Sequence, residues 1–178
     1  MKIKERSSTI MGQYIKAVLD DQDLNKNNKE EYYKQFGIEA NTCIYCGSKS
    51  ANTLDHIFSV INDSQFTGYD NSRKNLIPCC QMCNSSKGKK TIYEWLDCEN
   101  PTKHAKAVLN TPGYQERRKL IDSYIAKNKS NIKEIDDETL KKMNERAREF
   151  KKIAIDYLNK LDEQMLKDKQ YFANIRKK

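Results

Sequence analysis

Residues 43–47 read CIYCG and residues 80–83 read CQMC, and these two stretches decide the fold of the chain. Zinc prefers four tetrahedral thiolate or imidazole ligands, and each C-x-x-C turn can direct two sulfurs at one ion. Two such turns, separated by about the length of a β-hairpin, therefore predict one structural Zn²⁺ per chain. Its expected ligands are Cys43, Cys46, Cys80 and Cys83.

Two further cysteines, Cys79 and Cys98, leave alternatives open. Cys79 could take the place of Cys80, but only Cys80 has the C-x-x-C spacing to Cys83. We expect Cys79 and Cys98 to be packed thiols. The competing interpretation of the two turns is that their cysteines are buried and free of metal.

Length and charge narrow the class of protein. The 178 residues suffice for one compact domain, or for a small module with a helical extension. No run of about 18 apolar residues occurs and the first six residues lack the apolar core of a signal peptide, so we expect a cytoplasmic protein with reduced cysteines. The net charge of +8 lies wholly in residues 101–178, which favours nucleic acid, although acidic membranes or proteins also fit charge alone.

Apolar spacing and turn residues predict a mostly helical α+β chain in three parts. Residues 1–40 contain two helices, one over about 8–20 and one that ends at Gly37. Residues 41–100 contain two short strands separated by a loop, then a short helix opened by a capping box of Thr91 and Glu94. Residues 101–178 form a basic helical region.

The C-terminal part is predicted to contain a helix behind Thr111 and Pro112, and then one long helix capped by Asp136 or Asp137. Apolar residues of the long helix recur at steps of three and four, at Leu140, Met143, Ala147, Phe150, Ala154, Tyr157, Leu161 and Met165. This stripe is typical of a coiled-coil seam, which would make a homodimer, and equally of a helix that packs on its own chain.

Three motifs lie between and after the cysteine pairs: DHI at 55–57, NLIP at 75–78 and NSSKG at 84–88. The chain has only two histidines, and His56 stands beside a carboxylate. The ordered set C-x-x-C, D-H-I, N-L-I-P, C-x-x-C-N-S-S-K-G resembles the zinc-bearing HNH endonucleases, in the variant whose last ligand is asparagine. The resemblance covers residues 43–90, and its motifs are specific as an ordered set although each is weak alone.

The resemblance implies a ββα-metal fold with Asp55 and His56 at the end of the first strand and Asn84 on the following helix. It also implies that His56 is the general base and that Asp55 and Asn84 bind a catalytic Mg²⁺, for which Mn²⁺ can substitute. Asn75 would be the loop residue that orients the histidine. One departure is Ser59, which stands where the family commonly has proline, and it should alter the loop more than the chemistry.

Elementary chemistry supports the same roles. Phosphodiester hydrolysis needs a water activated in line with the leaving 3′ oxygen, and a group that takes up charge on that oxygen. Neutral imidazole can accept the water proton near pH 7, and one hard cation held by carboxylate and amide oxygens can stabilise the leaving group. Candidates for contact with phosphates, if they are not ordinary surface residues, are Arg73, Lys87, Lys89 and Lys90.

For the whole chain, the resemblance implies an endonuclease that cuts double-stranded DNA to 5′-phosphate and 3′-hydroxyl ends. The small size favours a type II restriction enzyme, and homing or phage nucleases and nickases fit almost as well. Two other classes stay open, a zinc-stapled DNA-binding module without activity and an RNA-binding or RNA-processing protein. Pure binding would need none of Asp55, His56 and Asn84, which argues against the binding module.

A double-strand break requires hydrolysis of both strands, either by two catalytic sites or by one site that binds and cuts twice. A homodimer through the C-terminal helix would supply the second site, and no membrane partner is expected. Basic residues that could lie along the DNA are Arg117, Arg118, Lys141, Lys142, Arg146, Arg148, Lys151 and Lys152.

Overall fold

The structure is a computed structural model that describes residues 7–18, 29–63, 65–69, 71–128, 132 and 135–175. Helices predominate and two small antiparallel sheets complete the fold, which confirms the expected mostly helical α+β class. Within these residues, no helix is both long enough and apolar enough to cross a bilayer.

Two helices precede the sheets. Helix α1 spans Ser7–Val18 and helix α2 spans Lys29–Phe36. Residues 19 and 20, the predicted end of the first helix, lie outside the described ranges. Helix α2 ends as predicted, because Gly37 adopts a φ of +62°, a left-handed conformation that glycine reaches without a Cβ penalty.

The central element is an antiparallel pair of strands, β1 (Thr53–His56) and β4 (Leu76–Cys79). His56 pairs with Leu76, so the DHI and NLIP motifs lie side by side in the sheet. A second, smaller hairpin lies between them in sequence and consists of β2 (Ile61–Asn62) and β3 (Gln65–Phe66). The two predicted strands are thus β1 and β4, and the small hairpin occupies the predicted loop.

Two short helices follow the sheet. Helix α3 (Gln81–Lys87) comes directly after β4 and completes a β-β-α unit. Helix α4 (Ile92–Leu96) begins with the predicted capping box. The Thr91 hydroxyl accepts a hydrogen bond from the Glu94 N–H, and the Glu94 carboxylate accepts one from the Thr91 N–H.

The C-terminal part consists of α5 (Lys103–Leu109), α6 (Tyr114–Asn128) and α7 (Asp137–Ile175). Helix α5 was not predicted, because seven residues are too few for a clear helical period. Helix α6 begins two residues after Pro112. Asp136 caps α7, since its carboxylate accepts a hydrogen bond from the Thr139 N–H.

One apolar core joins the sheet to helices on both sides of it in sequence. Side chains of α2, α5 and α6 pack into the same core as those of β4, α3 and α4. Ile44, Ile77 and Trp95 are at most 1% exposed. Residues on both sides of the boundaries predicted at 40 and 100 therefore pack in one core. The division into three domains stays a prediction.

The first half of the stripe on α7 packs on its own chain. It contacts α1 and β3 through Leu140, Met143, Ala147 and Phe150. The rings of Tyr14 and Phe150 stack with centroids 4.1 Å apart. The Asn144 side chain accepts a hydrogen bond from the Phe66 N–H and donates one to the Phe66 carbonyl. Helix α7 is therefore attached to the small hairpin that follows the DHI motif.

Asn144→Ala should weaken this attachment. The Phe66 backbone would lose two hydrogen bonds, and an unsatisfied buried backbone group costs about 1–3 kcal/mol. We expect the free energy of unfolding, measured by chemical denaturation of zinc-loaded protein, to fall by about that amount. Glu145→Ala, at the exposed neighbouring position, is the control and should change it by about 0.5 kcal/mol or less. Equal losses in the two variants would show that the Asn144 bonds contribute nothing.

Candidate active site and zinc centre

Four sulfurs meet where the two C-x-x-C turns face each other. The Sγ atoms of Cys43, Cys46, Cys80 and Cys83 all lie within 4.8 Å of one another. Four thiolates at about 2.3 Å from one zinc ion would lie about 3.8 Å apart. The Sγ atoms of Cys46 and Cys80 are 3.9 Å apart. The cluster therefore fits a tetrahedral zinc site with four thiolate ligands.

The first turn closes because of Gly47, whose φ is +76°. Its N–H donates to the Cys43 carbonyl at 2.8 Å, and a Cβ at this position would meet the Arg117 guanidinium at 2.8 Å. The turn is also docked on the sheet, since the Ile44 N–H donates to the Pro78 carbonyl at 3.1 Å. This hydrogen bond holds the turn with Cys43 and Cys46 against β4. Cys80 and Cys83 come directly after β4 in sequence, so the two pairs of sulfurs lie near each other.

Cys79 and Cys98 lie outside the four-sulfur group. The Cys79 sulfur is 3.3 Å from the Thr53 hydroxyl, and burial raises the pKa of this thiol well above its usual value. The Cys98 sulfur lies 3.7 Å from the Trp95 carbonyl. The structure thus brings together the four cysteines that the spacing selected, and places Cys79 beside them as a packed thiol.

His104 of α5 is a residue at this centre that the sequence analysis missed. Its Nε2 lies 3.3 Å from the Cys83 sulfur, and its ring stacks on Trp95 with centroids 6.4 Å apart. An imidazole beside a metal-bound thiolate can donate an N–H···S hydrogen bond and so hold the ligand in place. His104 lies 21 residues beyond Cys83, outside every recognised motif, so no local pattern points to it.

His56 is the last residue of β1 and is half-buried. Its Nε2 lies 2.7 Å from the Oδ1 of Asn71, and because an amide oxygen only accepts, Nε2 carries the proton. In a neutral imidazole the other nitrogen, Nδ1, then holds the lone pair. In this tautomer Nδ1 is the ring atom of His56 that could accept a proton. Asn71 was not selected as a site residue, because it lies in a turn outside the three motifs.

Asn75 is completely buried and holds the backbone that follows His56. Its side chain accepts from the Phe58 N–H and donates to the Phe58 carbonyl, both at 2.9 Å. Its own carbonyl accepts from the Ile57 N–H at 2.8 Å. In the same loop the Ser59 hydroxyl donates to the Ile61 carbonyl at 2.6 Å, so a hydrogen bond steadies the position where proline is common.

Asp55 faces the interior while His56 lies on the opposite face of β1, because successive residues of a strand alternate between faces. Asp55 is 5% exposed. Its Oδ2 accepts a hydrogen bond from the Tyr45 hydroxyl at 2.6 Å and lies 3.0 Å from Lys87 Nζ. Complete burial, together with the Asp55 carboxylate, raises the pKa of Tyr45 well above its usual value, so the phenol remains a donor.

Lys87 was expected on the DNA-facing surface, and the structure corrects this. Its side chain is 1% exposed, its Nζ pairs with Asp55, and the same Nζ donates to the His56 carbonyl at 2.7 Å. A lysine this deep requires a charged partner, because an unpaired buried ammonium is very costly. Lys89 and Lys90 are exposed, as a phosphate contact requires, although Lys89 Nζ also lies 3.1 Å from the exposed Asp63 carboxylate.

Other basic candidates are engaged within the chain. Arg73 forms an ion pair with Glu31. Arg118 pairs with Asp97 and Asp122, and Arg117 donates to the carbonyl of Tyr45. The two arginines of α6 therefore stabilise the fold, and the idea that they could lie along DNA stays a prediction.

Asn84 lies on α3 against β1. Its Nδ2 donates to the Leu54 carbonyl at 3.2 Å and to the Thr53 hydroxyl at 3.3 Å. Because the amide nitrogen is turned towards β1, Oδ1 is the atom with which Asn84 could bind a cation. The structure thus places Asn84 against β1, the strand that carries Asp55 and His56.

The family model described as HNH endonuclease matches residues 43–90. The match begins at Cys43, the first cysteine of the four-sulfur cluster, and includes the four strands and α3. It confirms the resemblance that the ordered motifs indicated over the same residues. No curated protein and no solved structure matches the chain.

Cys80→Ser should lower the zinc content well below the expected value of about one ion per folded chain. A serine hydroxyl is a much weaker zinc ligand than a thiolate, and in small metal-bound units the binding free energy is also folding free energy. We therefore also expect a lower melting temperature. Cys79→Ser, at the adjacent buried position, is the matched control and should keep its zinc. Elemental analysis of the folded proteins decides, and the reverse ranking would make Cys79 the ligand.

Proposed function

We propose, from the HNH endonuclease domain that the chain carries at residues 43–90, that this protein is a metal-dependent endonuclease acting on double-stranded DNA. One observation supports the proposal: Asn71 holds the His56 imidazole through Nε2, and in that tautomer Nδ1 is the ring atom that could accept a proton. A module that only binds DNA has no need of an oriented base, nor of the Asp55 carboxylate and the Asn84 amide.

In the proposed reaction, His56 Nδ1 accepts a proton from a water molecule as that water attacks the phosphorus. The bond from phosphorus to the 3′ oxygen breaks, and the leaving oxygen takes a proton from solvent. The products are a 5′-phosphate and a 3′-hydroxyl. Asn71 keeps the imidazole in the tautomer that can accept the proton, and Asn75 holds the backbone behind it.

Asp55 and Asn84 are the proposed ligands of the catalytic cation. A carboxylate oxygen and an amide oxygen are hard donors that suit Mg²⁺, and Mn²⁺ accepts the same set. The Tyr45 hydrogen bond and the Lys87 ion pair both fall on Oδ2, so Oδ1 is the oxygen that we propose for the ion. When bound there, Mg²⁺ would stabilise charge on the leaving oxygen.

The basic residues that we propose for DNA contact are the exposed Lys89 and Lys90 and the partly buried Arg73, whose ion pair with Glu31 a phosphate would replace. Lys89 and Lys90 follow the helix that carries Asn84. Arg73 lies two residues after Asn71 and lines a cleft of about 530 Å³ with Lys74, Lys127 and Tyr124. Positive charge on these residues would attract the DNA backbone. We therefore propose Arg73, Lys89 and Lys90 as phosphate contacts.

The narrower role that we propose is a type II restriction enzyme of the cytoplasm. Its support is the size of the nuclease unit and its packing against accessory helices that could read DNA. A homing or phage nuclease would use the same site. Mapping the cut ends on a sequenced plasmid separates these roles, because a restriction enzyme cuts at every copy of one short sequence.

Cutting both strands would be easiest for a homodimer. The first half of the stripe on α7 packs within the chain, whereas the second half contains two exposed side chains, Tyr157 at 64% and Leu161 at 37%, and the partly buried Ala154 and Met165. Tyr157 and Leu161 lie one turn apart and so share one face of the helix. We propose that this face, defined by Tyr157 and Leu161, pairs with its copy in a second chain.

His56→Ala should slow cleavage of plasmid DNA in Mg²⁺ by about 100-fold to 10,000-fold, the usual contribution of a general base. DNA affinity and zinc content should remain near the wild-type values. Asn110→Ala, an exposed position at the end of α5, is the control and should cut at the wild-type rate. A rate for His56→Ala within about threefold of wild type would place the base elsewhere.

Leu161→Glu should convert a dimer into a monomer in sedimentation, because it places a charge in an apolar contact. Lys160→Glu, the neighbouring exposed position, changes the charge more but should leave the dimer intact. We also expect the Leu161 variant to nick plasmid more than it linearises it. A dimer that survives Leu161→Glu would exclude this face as the interface.

A further inference from the structure

We infer that Tyr45 and Lys87 are positioning residues that clamp the Asp55 carboxylate, and that the two zinc-binding turns hold this clamp. The inference rests on the proposed function, because it concerns the orientation of Asp55, a proposed ligand of the catalytic cation. It links the proposed zinc centre, which would stabilise the fold, to the proposed hydrolytic site, because Tyr45 and Lys87 belong to the segments that carry the four cysteines.

The first arm of the clamp is Tyr45, which lies inside the first zinc-binding turn between Cys43 and Cys46. It is 1% exposed, and its hydroxyl donates to Asp55 Oδ2 at 2.6 Å. Its ring packs edge-on against Trp95 with centroids 5.2 Å apart. The phenol is therefore held by packing on one side and by the zinc-binding turn on the other.

The second arm is Lys87, the last residue of α3. It follows the zinc-binding Cys83 by four residues, one helical turn, so both side chains lie on the same face of the helix. The Lys87 ammonium contacts Asp55 Oδ2 at 3.0 Å and the His56 carbonyl at 2.7 Å. One buried side chain thus touches both residues of the DHI motif that the reaction would use.

The clamp selects which oxygen Asp55 offers to a cation. A hydrogen bond to a carboxylate is short and directional, and here the Tyr45 hydrogen bond and the Lys87 ion pair converge on Oδ2. Rotation of the carboxylate would break both of them, so Oδ1 is presented in one orientation. A divalent ion then binds a ligand that is already oriented, and less conformational freedom is lost on binding.

The two arms also make the clamp depend on zinc. Tyr45 is held between two of the sulfurs, and Lys87 lies on the helix that begins at the other two. If the sulfurs separate, both donors lose their fixed positions relative to β1. Zinc at the four-cysteine cluster would then set the affinity of the second metal site as well as the stability of the fold.

Binding of Mn²⁺ to zinc-loaded protein, followed by electron paramagnetic resonance without DNA, tests the clamp separately from catalysis. Tyr45→Phe removes one oxygen atom and keeps the ring, and it should weaken Mn²⁺ binding about tenfold or more, as loss of an outer partner of a metal ligand typically does. The half-saturating Mg²⁺ concentration for cleavage should rise by the same factor, with the rate at saturating Mg²⁺ largely restored.

Tyr93→Phe is the matched control. Its hydroxyl also donates to a carboxylate, that of Asp122 at 3.1 Å, but on α4 and α6, away from β1. It should leave Mn²⁺ affinity unchanged. Lys87→Met loosens the carboxylate but also removes a positive charge that repels a nearby divalent ion, so Tyr45→Phe, which changes no charge, is the deciding variant. The Tyr45 variant also decides if the Lys87 variant fails to fold, because a buried Asp55 without a counter-charge is strongly destabilising.

The outcomes separate this inference from the proposed function. Equal Mn²⁺ affinities in wild type, Tyr45→Phe and Tyr93→Phe would overturn the clamp, even in a protein that cuts DNA. Mn²⁺ binding that depends on Tyr45, in a protein that never cuts DNA, would support the clamp and overturn the nuclease. Absence of any Mn²⁺ binding to the zinc-loaded wild type would overturn the clamp as well.

Discussion

The convergence of four cysteine sulfurs within 4.8 Å of one another is the constraint on which the rest of the structure depends. The sheet beside them has only two strands, and an isolated two-stranded sheet is marginally stable in water. One metal ion bound by both turns would keep the loop before β1 and the start of α3 together, and so hold β1 and β4 between them. The apolar core around Trp95 then adds α2, α4, α5 and α6 to a unit that is already closed.

The alternation of side chains along β1 places the two proposed site residues, Asp55 and His56, on opposite faces of the strand. Asp55 is directed inwards to Tyr45 and Lys87, and its neighbour His56 lies on the other face beside Asn71. A shift of one residue in the pairing with β4 would exchange these two faces. The carboxylate would then lose both donors, and the imidazole would be buried. The register of four residue pairs therefore matters as much to the chemistry as the identity of the residues.

Local signals in the sequence predicted the parts of the structure that local chemistry determines. The C-x-x-C spacing, the glycine at position 37 and the capping box at Thr91 each act within a few residues, and each is found where expected. The partners of the site residues depend instead on long-range contacts: Asn71 is 15 residues from His56, and Lys87 is 31 from the carbonyl to which it donates. Lysines are rarely buried, so composition alone favoured the surface for Lys87. The stripe on α7 likewise predicted an apolar face but could not say what covers it.

Cleavage of supercoiled plasmid by zinc-loaded wild-type protein tests the central claim most directly. With Mg²⁺ we expect conversion to open-circular and linear DNA with 5′-phosphate and 3′-hydroxyl ends, and none after the Mg²⁺ is removed by a chelator that leaves the zinc in place. A folded protein with about one zinc per chain that binds the plasmid, yet leaves it supercoiled in both Mg²⁺ and Mn²⁺, would contradict the claim. Such a protein would be a zinc-stapled DNA-binding module.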